Sequence, residues 1–429
     1  MYRREVFSDL LAYLDQPEIL LLVGARQVGK TTLMKMLLTH LRQRGEPEQA
    51  LHYLDLEDMA LLHLLEGGQH ELTGWLAAHG ADLSRKVYVF IDEIQYLSNP
   101  SNLLKLLADS QPNLKLIVSG SSTLEIRRKF TDSLAGRKLV FEIYPLSFAE
   151  FLVFRGEDRL AQAVRDSGVR TLAADADPMA LPARFLAADC FRYYQEFLVW
   201  GGYPRIALEP DEQRKAAYLA ELYNAYVRKD IKDLARIDNV SGFNNLIAAL
   251  AHQAGGLANI SELSNVTRLA RDTVEHYLFL LENTFIIKGA LPFSRNPRKE
   301  ISKMRKYYFL DNGLRNMAIR SLAALDSRTD AGELAENAVF TELTKRAPLL
   351  EEIGFWRTQT KTEVDFILQG EGRLRPVEVK FRPLSKPKIP GGIRSFMQDY
   401  PAAQSPLVLT RDYFGGAVDG VRFLPCWLA

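Results

Sequence analysis

Gly24-Ala25-Arg26-Gln27-Val28-Gly29-Lys30-Thr31-Thr32 decides how the chain folds. An apolar run, Ile19-Leu20-Leu21-Leu22-Val23, precedes it and reads as a buried strand. Leu33-Met34-Lys35-Met36-Leu37-Leu38-Thr39-His40-Leu41 follows it with helical spacing. Strand, glycine loop and helix are the context in which a GxxxxGK[ST] pattern becomes a phosphate cradle. Gly24 and Gly29 can take backbone angles closed to other residues, so consecutive N–H groups can turn inward around a phosphate. The helix N-terminus adds positive potential. The expectation is that residues Gly24 to Thr32 line the phosphates of ATP, with Lys30 on the outer ones and Thr31 holding Mg²⁺.

Working outward, Lys86-Val-Tyr-Val-Phe-Ile-Asp92-Glu93-Ile-Gln95 is an apolar run ending in two carboxylates. That is the pattern of a buried parallel strand that stops at a ligand site. Asp92 is expected to hold Mg²⁺ through water, and Glu93 to polarise the water that attacks the γ-phosphate. Leu114-Lys-Leu-Ile-Val-Ser119-Gly120 is a further strand running into Ser121. Ser121 is the first candidate for sensing the γ-phosphate and Ser119 the second. Plain turn-forming serines are the alternative. Lys138–Tyr144 reads as a fifth strand, and Arg137 before it is a candidate finger for a neighbouring subunit's nucleotide. A surface salt bridge is its alternative. Five strands with these motifs fit an α/β core of the additional-strand class of phosphate-loop ATPases.

Composition bounds what else the chain can be. It has 429 residues, enough for two to four domains of about 100–200 residues each. With 54 Lys and Arg against 53 Asp and Glu, the net charge is +1, so nucleic acid would have to be gripped by a local basic patch. Two distant cysteines, Cys190 and Cys426, argue against a disulfide scaffold or a zinc site and fit a reducing cytoplasm. The first residues lack the apolar stretch of a signal peptide, and no run is long enough to span a membrane.

The pattern beyond residue 144 divides further. Residues 145–237 read as a helical lid over the nucleotide, and 238–319 as a winged helix-turn-helix: a helix from Phe243, a short helix from Ser261, a turn, a helix from Arg271 and a strand from Phe285. Val274, Leu278 and Leu281 fall on the buried face of the third helix. Its outer face offers Arg271 and His276 but also Asp272, Glu275 and Glu282. Carboxylates there repel phosphates, so a protein-binding role stays open. The wing leads into Arg295, Arg298, Lys299, Lys303, Arg305 and Lys306 with aromatics interleaved. This is the clear basic concentration of the chain and reads as a DNA-backbone contact, with a solvated loop as the alternative.

Residues 320–429 read as a last α/β domain. Asp365 lies on one strand, and Glu378-x-Lys380 on its hairpin partner; Glu336 sits on the preceding helix. Two or three carboxylates can hold a second divalent metal, and a lysine beside it can assist a hydroxide nucleophile. This arrangement resembles the PD-(D/E)xK nuclease fold, with Val364 where its name expects proline. A surface hairpin of charge pairs, or the same fold with its chemistry lost, are the alternatives.

Taken in order, the motifs resemble a family of bacterial and archaeal AAA+-type ATPases with a C-terminal domain of unknown function. The carriers are GARQVGKTT at 24–32, FIDEIQ at 90–95, SGSS at 119–122, LAGR at 134–137 and YPLSFAEF at 144–151, then GGYP at 201–204, YFLDNGLR at 308–315, ENAVFTEL at 336–343, TEVDF and VEVK. The resemblance implies ATP hydrolysis, assembly into a homo-oligomer such as a hexameric ring, and DNA association. The function expected is an Mg²⁺-dependent ATPase that binds and remodels DNA, branched or broken DNA included. A nucleotide switch acting on a protein partner and an active metal-dependent nuclease are the alternatives.

Overall fold

The computed structural model describes residues 2–121, 134, 136–171, 177–225, 239–294 and 304–429. The chain divides into two compact units, Met1–Tyr144 with Asn283–Phe285, and Pro145–Glu282 with Ile286–Ala429.

The first unit is a three-layer α/β fold. Helix α1 (Val6–Ala12) leads to strand β1 (Ile19–Gly24), and helix α2 (Lys30–Gln43) to β2 (Leu51–Asp55). Helices α3 (Met59–Glu66) and α4 (Gln69–Ala78) precede β3 (Val87–Asp92); α5 (Pro100–Ser110) precedes β4 (Leu114–Ser121), and β5 (Lys138–Ile143) ends the unit. All five strands are parallel, in the order β2-β3-β4-β1-β5. β1 and β3 are buried along their whole length. That is why they read as unbroken apolar runs rather than alternating ones. Each buried Leu, Ile or Val side chain contributes roughly 1.5–3 kcal/mol, so the two strands anchor the sheet. Because β1 and β3 are parallel, Gly24 and Asp92 both emerge at the carboxyl edge of the sheet.

The second unit opens with helices α6 (Phe148–Phe154), α7 (Asp158–Ser167), α8 (Ala187–Trp200), α9 (Pro204–Leu208) and α10 (Glu212–Leu222). Ser147 and Glu150 close α6 in a reciprocal capping box. Helices α11 (Val240–His252), α12 (Ile260–Thr267) and α13 (Arg271–Asn283) then run into an antiparallel hairpin, β6 (Ile287–Pro292) and β7 (Lys306–Phe309). Leu257, just before α12, bridges to Lys306 of β7.

Helix α14 (Asn312–Ala318) and helix α15 (Ala331–Lys345) follow, then strands β8 (Glu352–Arg357), β9 (Glu363–Gly370) and β10 (Arg373–Lys380). Helix α16 (Gly391–Asp399) leads to β11 (Leu407–Thr410), β12 (Gly415–Val418) and β13 (Val421–Pro425). The hairpin and these strands join in one eight-stranded sheet, β12-β13-β11-β10-β9-β8-β6-β7.

Two expectations need correcting here. The stretch read as a separate lid shares its core with the C-terminal residues: Phe148, Phe151, Tyr194 and Phe197 lie in one apolar cluster with Phe340, Phe366, Leu407 and Trp427. The strand read as the wing is part of the C-terminal sheet, because β6 pairs with β8 at Leu291–Gly354 and Pro292–Phe355. Both follow from large apolar side chains that only a joint core can cover.

Candidate functional site

The phosphate loop is shaped by two glycines. A Cβ at Gly24 would lie 2.1 Å from the Ile143 carbonyl oxygen, so β5 can approach β1 only because residue 24 lacks a side chain. Gly29 has φ 100°, in the left-handed region, and turns the loop into α2 at Lys30. Gln27 also takes a positive φ, 61°, which folds the loop back on itself. Ala25 and Val28 are buried under the loop, while Arg26, Gln27 and Thr32 are exposed and Thr31 is half-buried.

Lys30 is buried, and its Nζ donates to the Gly24 carbonyl at 3.0 Å and the Ala25 carbonyl at 2.9 Å. Burial pulls its pKa down to about 8, against the attraction of Glu93 and Asp92. A cation kept inside a glycine loop, with two backbone carbonyls as its hydrogen-bond partners among the described residues, is prepared for an anionic ligand. Arg4, which the sequence reading missed, braces the same loop: its guanidinium donates to the Val28 carbonyl at 2.8 Å and the Tyr144 carbonyl at 2.9 Å.

Asp92 ends β3 almost fully buried. Its Oδ2 accepts from the Tyr53 hydroxyl on β2 at 2.6 Å, and its Oδ1 from Ser119 on β4. The Tyr53 phenol is held well above its ordinary range by burial and by Asp92. Glu93 takes a left-handed backbone, φ 56° and ψ 47°; its N–H faces Asp92 Oδ1 at 3.2 Å and Ser119 Oγ at 3.3 Å, and its carboxylate accepts from Gln95. Such a conformation in a non-glycine residue costs about 1–3 kcal/mol and marks places where a side chain must be aimed. Ser119 is therefore the β4 serine that touches the acidic pair. Ser121 lies beside Gly24 in strand register, and its side chain lies outside the described residues.

The donor set fits Mg²⁺-ATP: a buried cation, a hydroxyl at Thr31, a carboxylate oriented by Tyr53 and Ser119, and a second carboxylate beside it. Residues 16–152 match the family described as AAA domain. That match supports an AAA-type ATPase in general terms. Residues 191–326 and 331–428 match two further families, each described as a domain of unknown function (DUF8612 and DUF4143). An uncharacterized protein of Haemophilus influenzae is 26% identical over 384 residues, 88% of this chain and 86% of that one. One from Methanocaldococcus jannaschii is 26% identical over 371 residues, 85% of this chain and 75% of its own. One from Mycobacterium tuberculosis is 24% identical over 429 residues, 99% of this chain and 83% of its own. Among solved structures, Cdc6p of Pyrobaculum aerophilum is 13% identical with a TM-score of 0.29, over 72% of this chain and 91% of that chain.

Arg137 lies at the opposite edge of the first sheet from the loop. Its carbonyl accepts from the N–H of Ile19, the first residue of β1, and its Nε pairs with Asp109 at 2.7 Å. It cannot serve the nucleotide of its own subunit from there.

In the second unit, the structure separates the basic residues that the sequence grouped. Arg295, Arg298, Lys299 and Lys303 lie outside the described residues. Arg305 faces Glu282 at 3.4 Å. Lys306 is a correction: it is not a surface contact for DNA but a buried cation, its side chain only 3% exposed, paired with Glu363 and 3.7 Å from Glu336. Arg271 is exposed at the start of α13, on a face with Asp272, Glu275, His276 and Phe279.

The carboxylates proposed as a second metal site are each engaged by protein. Glu336 accepts from the Tyr308 hydroxyl at 2.8 Å, Asp365 from the Val379 N–H at 2.7 Å, and Glu378 from Lys380 at 2.6 Å. Burial and the Asp365 charge push Glu336 and Glu378 upward; burial also raises Asp365. Burial pulls Lys306 down, but Glu336, Glu363 and Asp365 together hold it above the ordinary lysine range. Among the described residues no three His, Cys, Asp or Glu side chains converge in a metal-holding group. The expected ligand set Glu336, Asp365 and Glu378 therefore does not fit a metal in this arrangement.

Proposed function

We propose that the protein is an Mg²⁺-dependent ATPase that binds DNA and uses hydrolysis to remodel it. The observation that carries the ATPase part is Lys30, buried in the glycine loop and bonded to the Gly24 and Ala25 carbonyls, at the carboxyl edge of the sheet where Asp92 ends β3 and Glu93 follows it. Lys30 and the loop N–H groups would hold the triphosphate, Thr31 and Asp92 the Mg²⁺ shell, and Glu93 would take the proton of the attacking water. Bound Mg²⁺ neutralises charge on the phosphoryl oxygens.

DNA binding is supported by the order of three helices and a hairpin from α11 to β7, the order in which a winged helix-turn-helix is built although this hairpin is joined to the C-terminal sheet, and by the basic sequence at 295–303. ATP turnover measured with and without duplex, forked and four-way DNA tests it. Stimulation and salt-sensitive binding are expected. Absence of binding at ~50 mM salt, where phosphate contacts are strong, would defeat the DNA part and leave the ATPase part standing.

A second reading is favoured by one specific surface. Glu275 and Glu282 line a cavity of about 440 Å³ with Leu278, Phe279, Met304 and Tyr307. Arg305 lines it too and faces Glu282, so Glu275 is the carboxylate left to a ligand, and a partly apolar cavity with one such carboxylate suits a peptide better than a phosphate backbone. In that reading, ATP orders an assembly that recruits a protein. A Glu93→Gln variant that retains ATP and captures a protein without nucleic acid would support it over DNA remodelling.

A further inference from the structure

We propose that residues 348–351 and the cavity beside them form a docking surface for a second copy of this chain, each copy seating its Leu349-Leu350 tip in the other's cavity. The Glu351 N–H donates to the Pro348 carbonyl at 2.9 Å, closing a tight turn with Leu349 and Leu350 at its corners. Leu349 is 99% exposed and Leu350 74%. Turn corners ordinarily carry Gly, Pro, Asn, Asp or Ser, so two adjacent leucines there hold out apolar surface for another surface to cover. The Glu351 carboxylate pairs with Arg170 at 2.6 Å, and a Cβ at Gly370 would lie 3.1 Å from Glu351 Cα. The turn is thus held in place before any partner arrives, which lowers the entropy lost on docking.

The receptacle lies next to the tip. Strands β6 and β8 pair at Leu291–Gly354 and Pro292–Phe355. Ahead of those pairs, between Gly289 and Ile353, a cavity of about 280 Å³ opens, with Phe340 and Thr344 of α15 and Ile367 of β9 on its wall. The Thr344 hydroxyl is buried and, among the described residues, has no hydrogen-bond partner. A peptide group on an incoming turn would supply one. Ala347 and Glu351 line the cavity and flank the tip in sequence, so knob and hole share one patch. Such a patch is self-complementary about a twofold axis, where each contact is made twice. Its lining includes exposed Lys288 and exposed Glu352, so Lys288 of one copy can meet Glu352 of the other. That pairing, with knob and hole on the same chain, selects a second copy over an unrelated partner. The surface is small, so a reversible dimer is expected. The inference does not depend on the nucleotide reading, because every residue in it lies in the second unit.

The test is sedimentation equilibrium of nucleotide-free, full-length protein at about 1–100 µM, the range in which small interfaces associate. The wild-type chain is expected to equilibrate between monomer and dimer. Leu349→Asp/Leu350→Asp, a change at exposed positions, should weaken the dimer by about tenfold or more, as loss of a central apolar anchor does. Lys288→Glu should weaken it as well, and Lys288→Glu/Glu352→Lys should recover the wild-type mass at the same concentrations. A wild-type chain that stays monomeric across the range would overturn the proposal. So would a dimer or larger assembly that the leucine change leaves intact. A Lys288→Glu loss that Glu352→Lys does not recover would overturn the twofold arrangement on which the proposal rests.

Discussion

The phosphate loop and the carboxylate cluster use the same parts to opposite ends. Each sets a buried lysine near carboxylates at the end of a β-strand. In the loop, Lys30 is bonded to two carbonyls and stands off from Asp92 and Glu93, so its charge is available to a ligand. In the cluster, Lys306 rests on Glu363 itself, so the charge is consumed within the protein. A lysine's role is thus set by its nearest acceptor: neutral oxygens leave a cation to offer, and a carboxylate leaves an ion pair. The desolvation that both lysines suffer is compensated from inside the protein at one site and awaits a phosphate at the other.

This contrast can be broken by removing each cation in turn. Lys306→Met should cost the larger amount, about 3–5 kcal/mol of stability, because it removes the ammonium that neutralises Glu363 and lies beside Glu336 in a buried site. Chemical denaturation measures it, and an additional Glu363→Gln change should restore part of the loss. A Lys306→Met chain as stable as wild type would erase the distinction. Lys30→Ala should do the reverse: little change in unfolding midpoint, and a fall of roughly 10²–10³-fold in phosphate release, comparable to losing one preorganised donor.

Two smaller effects sharpen the picture at the loop. Tyr53→Phe deletes the hydroxyl that orients Asp92, and should raise the Mg²⁺ concentration needed for half-maximal turnover by about 10–100-fold, as for other partners of metal-holding groups. The smallest effect is a proton. Burial lowers the Lys30 pKa to about 8, so above that pH the free protein holds a neutral amine. Phosphates favour the ammonium, so ATP binding should take up as much as one proton between about pH 8 and 10 and almost none at pH 7. Affinity should weaken as pH rises through that window. Calorimetry in buffers of different ionisation enthalpy checks it, and Lys30→Arg should show no uptake.

The sequence disclosed the first unit because its determinants are local. A buried parallel strand is a continuous apolar run, and its loop follows directly in the chain, so β1, β3, Lys30 and Asp92 could be placed by reading along. Tyr53 and Ser119 act across strands, and only the order β2-β3-β4 brings them to Asp92. Ser119 was legible as the second γ-phosphate candidate, and Tyr53 carried the same signal, a polar residue within an apolar run. Lys306 was misread because its sequence neighbours are basic and exposure seemed the simplest account. Lys306, Tyr307, Tyr308 and Phe309 are buried on both faces of β7, so no alternation warned of it. Its partners, Glu336 and Glu363, come from later in the chain, and pairing at that separation leaves no periodic trace.

The guanidinium of Arg4 has one more implication, for anyone handling this molecule. It ties the segment ahead of α1 to the Val28 and Tyr144 carbonyls, so that segment acts as a strut for the loop. A change at Arg4 would take away the support of the glycine loop from a residue outside it, and sluggish turnover in such a variant could be mistaken for the loss of a catalytic group.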